Sequence, residues 1–251
     1  MELTRTLKAT NHFSRNSFAY TFGVLVVAIG ICLFGYLYTY GFVYGMDYYS
    51  TEFSTYWLPL LYGELIVLGG GCIVSSVYFF MTRPSVNELT WLTATEELNL
   101  YWRLLGIFAV MSVWAGFAGS LAIESDAAWH QVTIRDTDFT PTHIIIFYFA
   151  LPALTAMLIP SFIWAHTRIP AFAGRISVPF LAIVCGILMI MPNYGFNEWG
   201  HTFFYAEELF AAPIHYGFVF LGWSLFFLVP LSMQLIGQMS RLISASANEL
   251  E

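Results

Sequence analysis

Two short stretches gather the groups in this chain that could do chemistry. In ESDAAWHQVTIRDTDFTPTH (124–143), Glu124, Asp126, Arg135, Asp136 and Asp138 stand with His130 and His143. In PNYGFNEWGHTFFYAEELFAAPIH (192–215), Asn197, Glu198, His201, Glu207, Glu208 and His215 do the same. Asp126 and His130 are four apart, so a helical segment puts both on one face. His143 sits in a local setting of its own: Thr140 reads as an N-cap and Pro141 as the first helical position. A histidine in that first turn suits the neutral imidazole, the form that ligates metal. A reversal over 131–139 would bring Asp126, His130 and His143 together. Two imidazoles and a carboxylate form a recurrent ligand set for divalent first-row metals, with iron, copper and zinc all open.

Asn197 and His201 repeat the four-residue spacing, and His215 follows later, as His143 does in the first stretch. An amide oxygen is a weaker ligand than a carboxylate, so this second set is expected to hold a metal more loosely. Glu198, Glu207 and Glu208 offer alternative ligands or partners for imidazole N–H groups. The plainer alternative is that both stretches are solvated or interfacial loops whose acids face water.

The elements that must position these groups are membrane helices. The 251 residues are 58% hydrophobic and 10% charged, and mean hydropathy is +0.68, outside the range of soluble domains. A bilayer core of about 30 Å needs roughly 20 apolar residues per helix. Runs of that kind fall at about 18–40, 57–80, 101–123, 144–166, 178–191 (short) and 216–236. The expected fold is therefore an all-α integral membrane protein, one transmembrane domain over 1–251, with a bundle of about six transmembrane helices. The first run is expected to stay as a span: it is longer than a signal-peptide core, and bulky aromatics follow it rather than a cleavage site. Trp57, Trp102, Trp164 and Trp223 lie near run ends, as an interfacial aromatic belt predicts. Cys32, Cys72 and Cys185 lie singly in apolar runs and read as packing residues.

Lysine and arginine orient the bundle. Arg5, Lys8, Arg15, Arg83, Arg103, Arg168, Arg175 and Arg241 all fall on one side of a six-span path, which predicts that both termini are cytoplasmic. The connections at about 41–56, 124–143 and 192–215 then face outward, and both candidate metal segments open on the same side. A net charge of −7 with no basic patch speaks against nucleic-acid binding. No phosphate-binding loop, dinucleotide fingerprint, haem-attachment motif or internal repeat occurs.

Several other residues carry expectations. Glu64, inside an apolar run, is expected to stay protonated or to pair with another helix, because an ionised acid there costs roughly 2.5–3.5 kcal/mol. Gly69–Gly71 reads as a place for close helix packing. Ser85 to Glu88 reads as a capping box opening a short interfacial helix. His12 and His166 read as structural.

SDAAWHQVTIRDTDFTPTH together with PNYGFNEWGHTFFYAEELFAAPIHYGF resembles the C subunit of the copper membrane monooxygenases, the family of particulate methane, ammonia and short-chain hydrocarbon monooxygenases. The likeness runs over roughly 45–223. It implies that Asp126, His130 and His143 form one copper site, and that Asn197, His201 and His215 form a second nearby. Glu124 and Trp129 also fall on family positions and are assigned, with Glu198, to supporting the ligands. The resemblance further implies partner A and B subunits, a trimer of such heterotrimers, and a bacterial inner or intracytoplasmic membrane with the metal segments on the periplasmic side. The expected activity is O2-dependent hydroxylation of a small substrate, methane or a short alkane favoured and ammonia open. A quinol or other reductant would supply the electrons. Two rival functions are a structural or metal-binding component with the chemistry in a partner, and a six-span metal transporter.

Overall fold

The computed structural model describes residues 23–41, 43–44, 47–117, 141–186 and 224–248, and every regular element among them is helical. In chain order these are α1 (Gly23–Tyr40), α2 (Thr51–Tyr56), α3 (Leu58–Met81), α4 (Val86–Thr90), α5 (Ala94–Phe117), α6 (Pro141–Ile145), α7 (Leu151–Arg168) and α8 (Pro170–Ala173). They are followed by α9 (178–186) and α10 (Val229–Asn248). Among the described residues five stretches are helical, long and apolar enough to cross a bilayer: Gly23–Tyr40, Thr51–Met81, Ala94–Gly116, His143–Arg168 and Phe226–Ala247. The chain is an integral membrane protein, all-helical among the described residues.

Helix starts follow local side-chain chemistry. Ser50 caps α2 by accepting the Phe53 N–H at 3.1 Å. The expected capping box at α4 is present, Ser85 and Glu88 each accepting the other's backbone N–H. A second box, not among the expectations from sequence, opens α5: Glu96 accepts the Thr93 N–H at 3.1 Å and Thr93 Oγ1 accepts the Glu96 N–H at 3.2 Å. It starts that helix at Ala94, ahead of the apolar run that begins at Tyr101. At the other end of the chain α10 runs on to Asn248, past the end of its apolar run.

Two long helices contain a wider π-helical turn, and each is followed in the same way by proline. Ile146–Ala150 precedes Leu151–Pro152, and Ser224–Leu228 precedes Val229–Pro230. A proline inside a helix removes the N–H that its i−4 carbonyl needs, and its ring presses on that carbonyl. For Pro152 this carbonyl belongs to Tyr148, and the wider turn moves it clear. The indole N–H of Trp114, on α5, donates to the Ala150 carbonyl at the end of the same turn, 2.9 Å away in the buried interior.

Packing fixes the directions of the helices. α3 lies along α7. At one end Trp57 and Leu61 share a cluster with Ile144 and Ile145, and at the other the Arg168 guanidinium donates to the Phe79 and Thr82 carbonyls at 2.9 and 3.1 Å. The two helices therefore run parallel. The start of α5 meets the end of α10, where Arg241 interacts with Glu97 and Tyr101, so that pair runs antiparallel. Phe172, just after α7, lies against the Tyr101 ring. Arg168, Arg175 and Arg241 thus share one end of the bundle.

Three expectations are corrected. Trp57 is not part of an exposed belt: it is fully buried, with the Tyr36 ring edge-on at 5.3 Å. Gly69, Gly70 and Gly71 do not admit a neighbouring helix among the described residues, since a Cβ at each would meet nothing within 4 Å. The glycine that does is Gly23, where a Cβ would collide with Val110 of α5. The cysteines do not fill the core either: Cys32 and Cys185 are exposed, Cys72 is half-buried and all three are free.

Candidate metal centre

His143 is the one predicted ligand that lies within the described residues. Asp126, His130, Asn197, His201 and His215 lie outside them, as do Glu124, Trp129, Glu198 and the expected cap Thr140. Among the described residues no three His, Cys, Asp or Glu side chains gather where they could hold a metal ion.

The sequence features that place His143 can be followed residue by residue. Pro141 opens α6, as the fixed φ of proline favours at a first helical position. His143 is the third residue of that helix and is fully buried, with buried Ile144 and Ile145 directly after it. Those two isoleucines join Phe34 and Leu37 of α1, Phe53 of α2, and Trp57 and Leu61 in one apolar cluster. Tyr148, in the π-helical turn, packs on the same cluster. The imidazole is therefore carried on a short helix anchored on one side by three other helices and on the other by the turn that Trp114 holds. An enclosed imidazole on a fixed mount is a ligand type that copper, iron and zinc all accept.

Trp114 and Tyr148 hold the segment that follows His143, and spacing and residue type did not mark them in advance. The signal for Trp114 was its depth in the 101–123 run, away from the ends where interfacial tryptophans sit. A buried indole N–H needs an acceptor, and a helix widened ahead of a proline offers one.

His166 belongs to a different construction. Its Nδ1 bonds the Phe162 carbonyl at 2.9 Å and its Nε2 accepts the Ser177 N–H at 3.0 Å. The Ser177 hydroxyl donates to Gln234 of α10 at 2.7 Å and also accepts the Phe180 N–H. The pattern requires the neutral tautomer with the proton on Nδ1. The ring, flanked by Phe162, Phe172 and Phe180, clasps α7, α9 and α10, the structural role expected of it.

Glu64 lies on α3, one turn beyond Leu61. It is 7% exposed, and neither carboxyl oxygen has a hydrogen-bond partner among the described residues. The expected pairing with another helix is not made there. At the opposite end of the bundle, outside the apolar spans, the Ser85 N–H and hydroxyl hold the exposed Glu88 carboxyl below the usual carboxylate range.

Over residues 4–246 the chain matches the AmoC family, described as the C subunit of ammonia monooxygenase and methane monooxygenase. No curated protein matches it.

Proposed function

The chain belongs to the C-subunit family of the ammonia and methane monooxygenases, and from that premise we propose a copper-dependent hydroxylase component acting on a small apolar or neutral substrate. Methane or a short alkane is favoured, with ammonia as the other candidate. The observation that carries this reading is the match over 4–246, which spans both ligand stretches. The enclosed mount of His143 supports it.

Asp126, His130 and His143 would hold one copper, and Asn197, His201 and His215 a second, with Glu124, Trp129 and Glu198 orienting the ligands. The donor chemistry fits: imidazoles with one carboxylate, or one amide, suit copper as well as iron or zinc. Copper would supply the O2-activating redox chemistry that protein side chains lack. The chain itself supplies position and dryness. The cluster around Ile144 and Ile145 excludes water at the head of α6, and Trp114 fixes the turn below it.

The helix directions support six spans with both termini on the cytoplasmic side. α7 ends at the arginine-rich end, and α10 ends there too, antiparallel to α5. The short run expected at 178–191 is the proposed additional span, and the helix that begins at 178, beside His166, supports it. Arginines gathered at one end fit a cytoplasmic face in a bacterial inner or intracytoplasmic membrane. The A and B subunits of the same monooxygenase are the proposed partners, in a trimer of heterotrimers. Of the 24 residues of α3 only Leu61 and Glu64 are buried within this chain, which leaves a long apolar face for lipid or a partner helix.

The test is element analysis and turnover of the purified complex, wild type beside Asp126→Ala. Loss of copper together with oxygenase activity is the expected result. Unchanged metal content and unchanged turnover would overturn the copper assignment.

A further inference from the structure

We propose that Glu64 is the proton carrier of the membrane-embedded reaction. The inference rests on the monooxygenase reading above. Incorporation of one oxygen atom follows O2 + RH + 2 e− + 2 H+ → ROH + H2O. The C–H bond and the O–O bond break, the new C–O and O–H bonds form, and the reductant supplies the electrons. The protons must reach a site enclosed by apolar side chains, and a bilayer interior does not conduct them.

Glu64 is the described acid placed to carry them. It is the one polar side chain that α3 buries, and both of its oxygens lack a partner among the described residues. An ionised carboxylate left unpaired at that depth is costly, so acids inside membranes belong to proton relays, ion paths or pairs with other charges. A pair is not available from the described neighbouring elements. α7 has no ionisable group before His166 and Arg168, and these stand at the other end of α3 from Trp57. α2 offers Glu52 and Tyr56, α6 and its π-helical turn His143 and Tyr148, and α1 Cys32, Tyr36, Tyr38 and Tyr40. None of these is a fixed cation.

The location fits the role. Leu61 shares a cluster with Ile144 and Ile145, the residues after His143. Glu64 is three residues further along α3, about 5 Å down the axis at the usual helical rise. α3 and α7 run parallel, so this level is that of the π-helical turn Ile146–Ala150, which α3 touches. Glu64 gives up its carboxyl proton toward the head of α6 and is reprotonated from water, returning to its starting state each cycle. It touches no reacting atom and acts as a relay.

The experiment uses the assembled complex with Glu64→Gln and Glu64→Asp, read beside wild type and Asp126→Ala. Copper content, turnover and the infrared carbonyl stretch of protonated carboxyl groups are measured, in light and heavy water. The glutamine variant is expected to assemble with wild-type copper and turn over about 100-fold more slowly, the scale of a lost proton-transfer group. The aspartate variant should recover part of the rate. Wild type should show a protonated-carboxyl band that shifts in heavy water, moves in the aspartate variant and is missing with glutamine. Wild-type turnover in Glu64→Gln overturns the proposal. So does absence of the band from wild type, a reading that stands even if the variants fail to assemble. Full turnover in Glu64→Gln with loss in Asp126→Ala removes the relay alone, whereas full turnover in both removes the copper reading as well.

Discussion

α3 and α7 lie side by side, both apolar and both long enough to span a membrane, yet their surroundings differ sharply. α7 buries Leu151, Ala153, Leu154, Met157, Leu158, Pro160, Ser161 and Ala165, while α3, the longer helix, buries Leu61 and Glu64 alone. Lipid is as apolar as leucine, so hydrophobicity does not draw membrane helices together; close packing and polar contacts do. α7 has that packing, as well as Ala150 bonded by Trp114 just ahead of it and His166 clasped to Ser177 at its far end. α3 contributes one face and leaves the rest open. In this chain the central helix is recognised by its contacts and not by its composition.

Truncations should expose the difference most strongly. Met157→Ala, in the α7 core, is expected to destabilise the chain by roughly 2–5 kcal/mol, while Ile66→Ala on the open face of α3 (72% exposed) should stay within about 0.5 kcal/mol. Thermal unfolding of the two variants in the same detergent measures both. Equal losses would mean that the open face is covered within the assembly and would erase the contrast.

Trp114→Phe removes the buried indole N–H that the Ala150 carbonyl accepts at the mouth of α7. A loss of about 0.5–1.5 kcal/mol is expected for one hydrogen bond, with a smaller copper load if the turn positions His143. Unfolding and element analysis of one preparation separate stability from positioning.

A glycine pair sharpens the comparison from the other side. Gly23→Ala drives a methyl into Val110 and should cost about 1–3 kcal/mol as an overpacked contact. Gly70→Ala on α3 meets open space and should stabilise the isolated chain by up to ~1 kcal/mol through helix propensity. If Gly70→Ala instead prevents assembly of the complex while leaving the chain itself stable, a partner helix sits on that face.

The smallest effect lies at the α4 cap. Bonding by Ser85 lowers the folded-state titration of Glu88, so this contribution is present above the ordinary carboxyl range and is lost as pH falls through the lowered value. Ser85→Ala should raise the Glu88 midpoint toward an ordinary carboxylate, read by NMR of labelled glutamate in nanodiscs. An unchanged midpoint would show that the box is not made.

Much of this architecture was legible in the residues. Apolar runs gave the helices, because every backbone group in lipid must be satisfied within its own segment. Ser85 with Glu88 announced a capping box, and Pro141 the start of a helix carrying His143. Neighbours were harder to read. That α3 packs along α7 depends on Arg168 reaching the Phe79 and Thr82 carbonyls, a contact between distant positions with no local signature. Trp57 misled for a related reason: run ends place tryptophans at interfaces, but Tyr36 and the Ile144–Ile145 pair cover this one.

Sequence alone determined that the chain is a membrane helix protein, which candidate ligand types stand at which spacing, and which family it resembles. These are properties of composition and short-range order, which a linear chain carries openly. Tertiary structure decided which glycine admits a neighbour, which helix is enclosed, and that Glu64 is buried with no partner among the described residues. Each of those depends on what a distant segment brings to the same point in space, and helix association without a hydrophobic drive is set by such local fits rather than by the run of apolar residues.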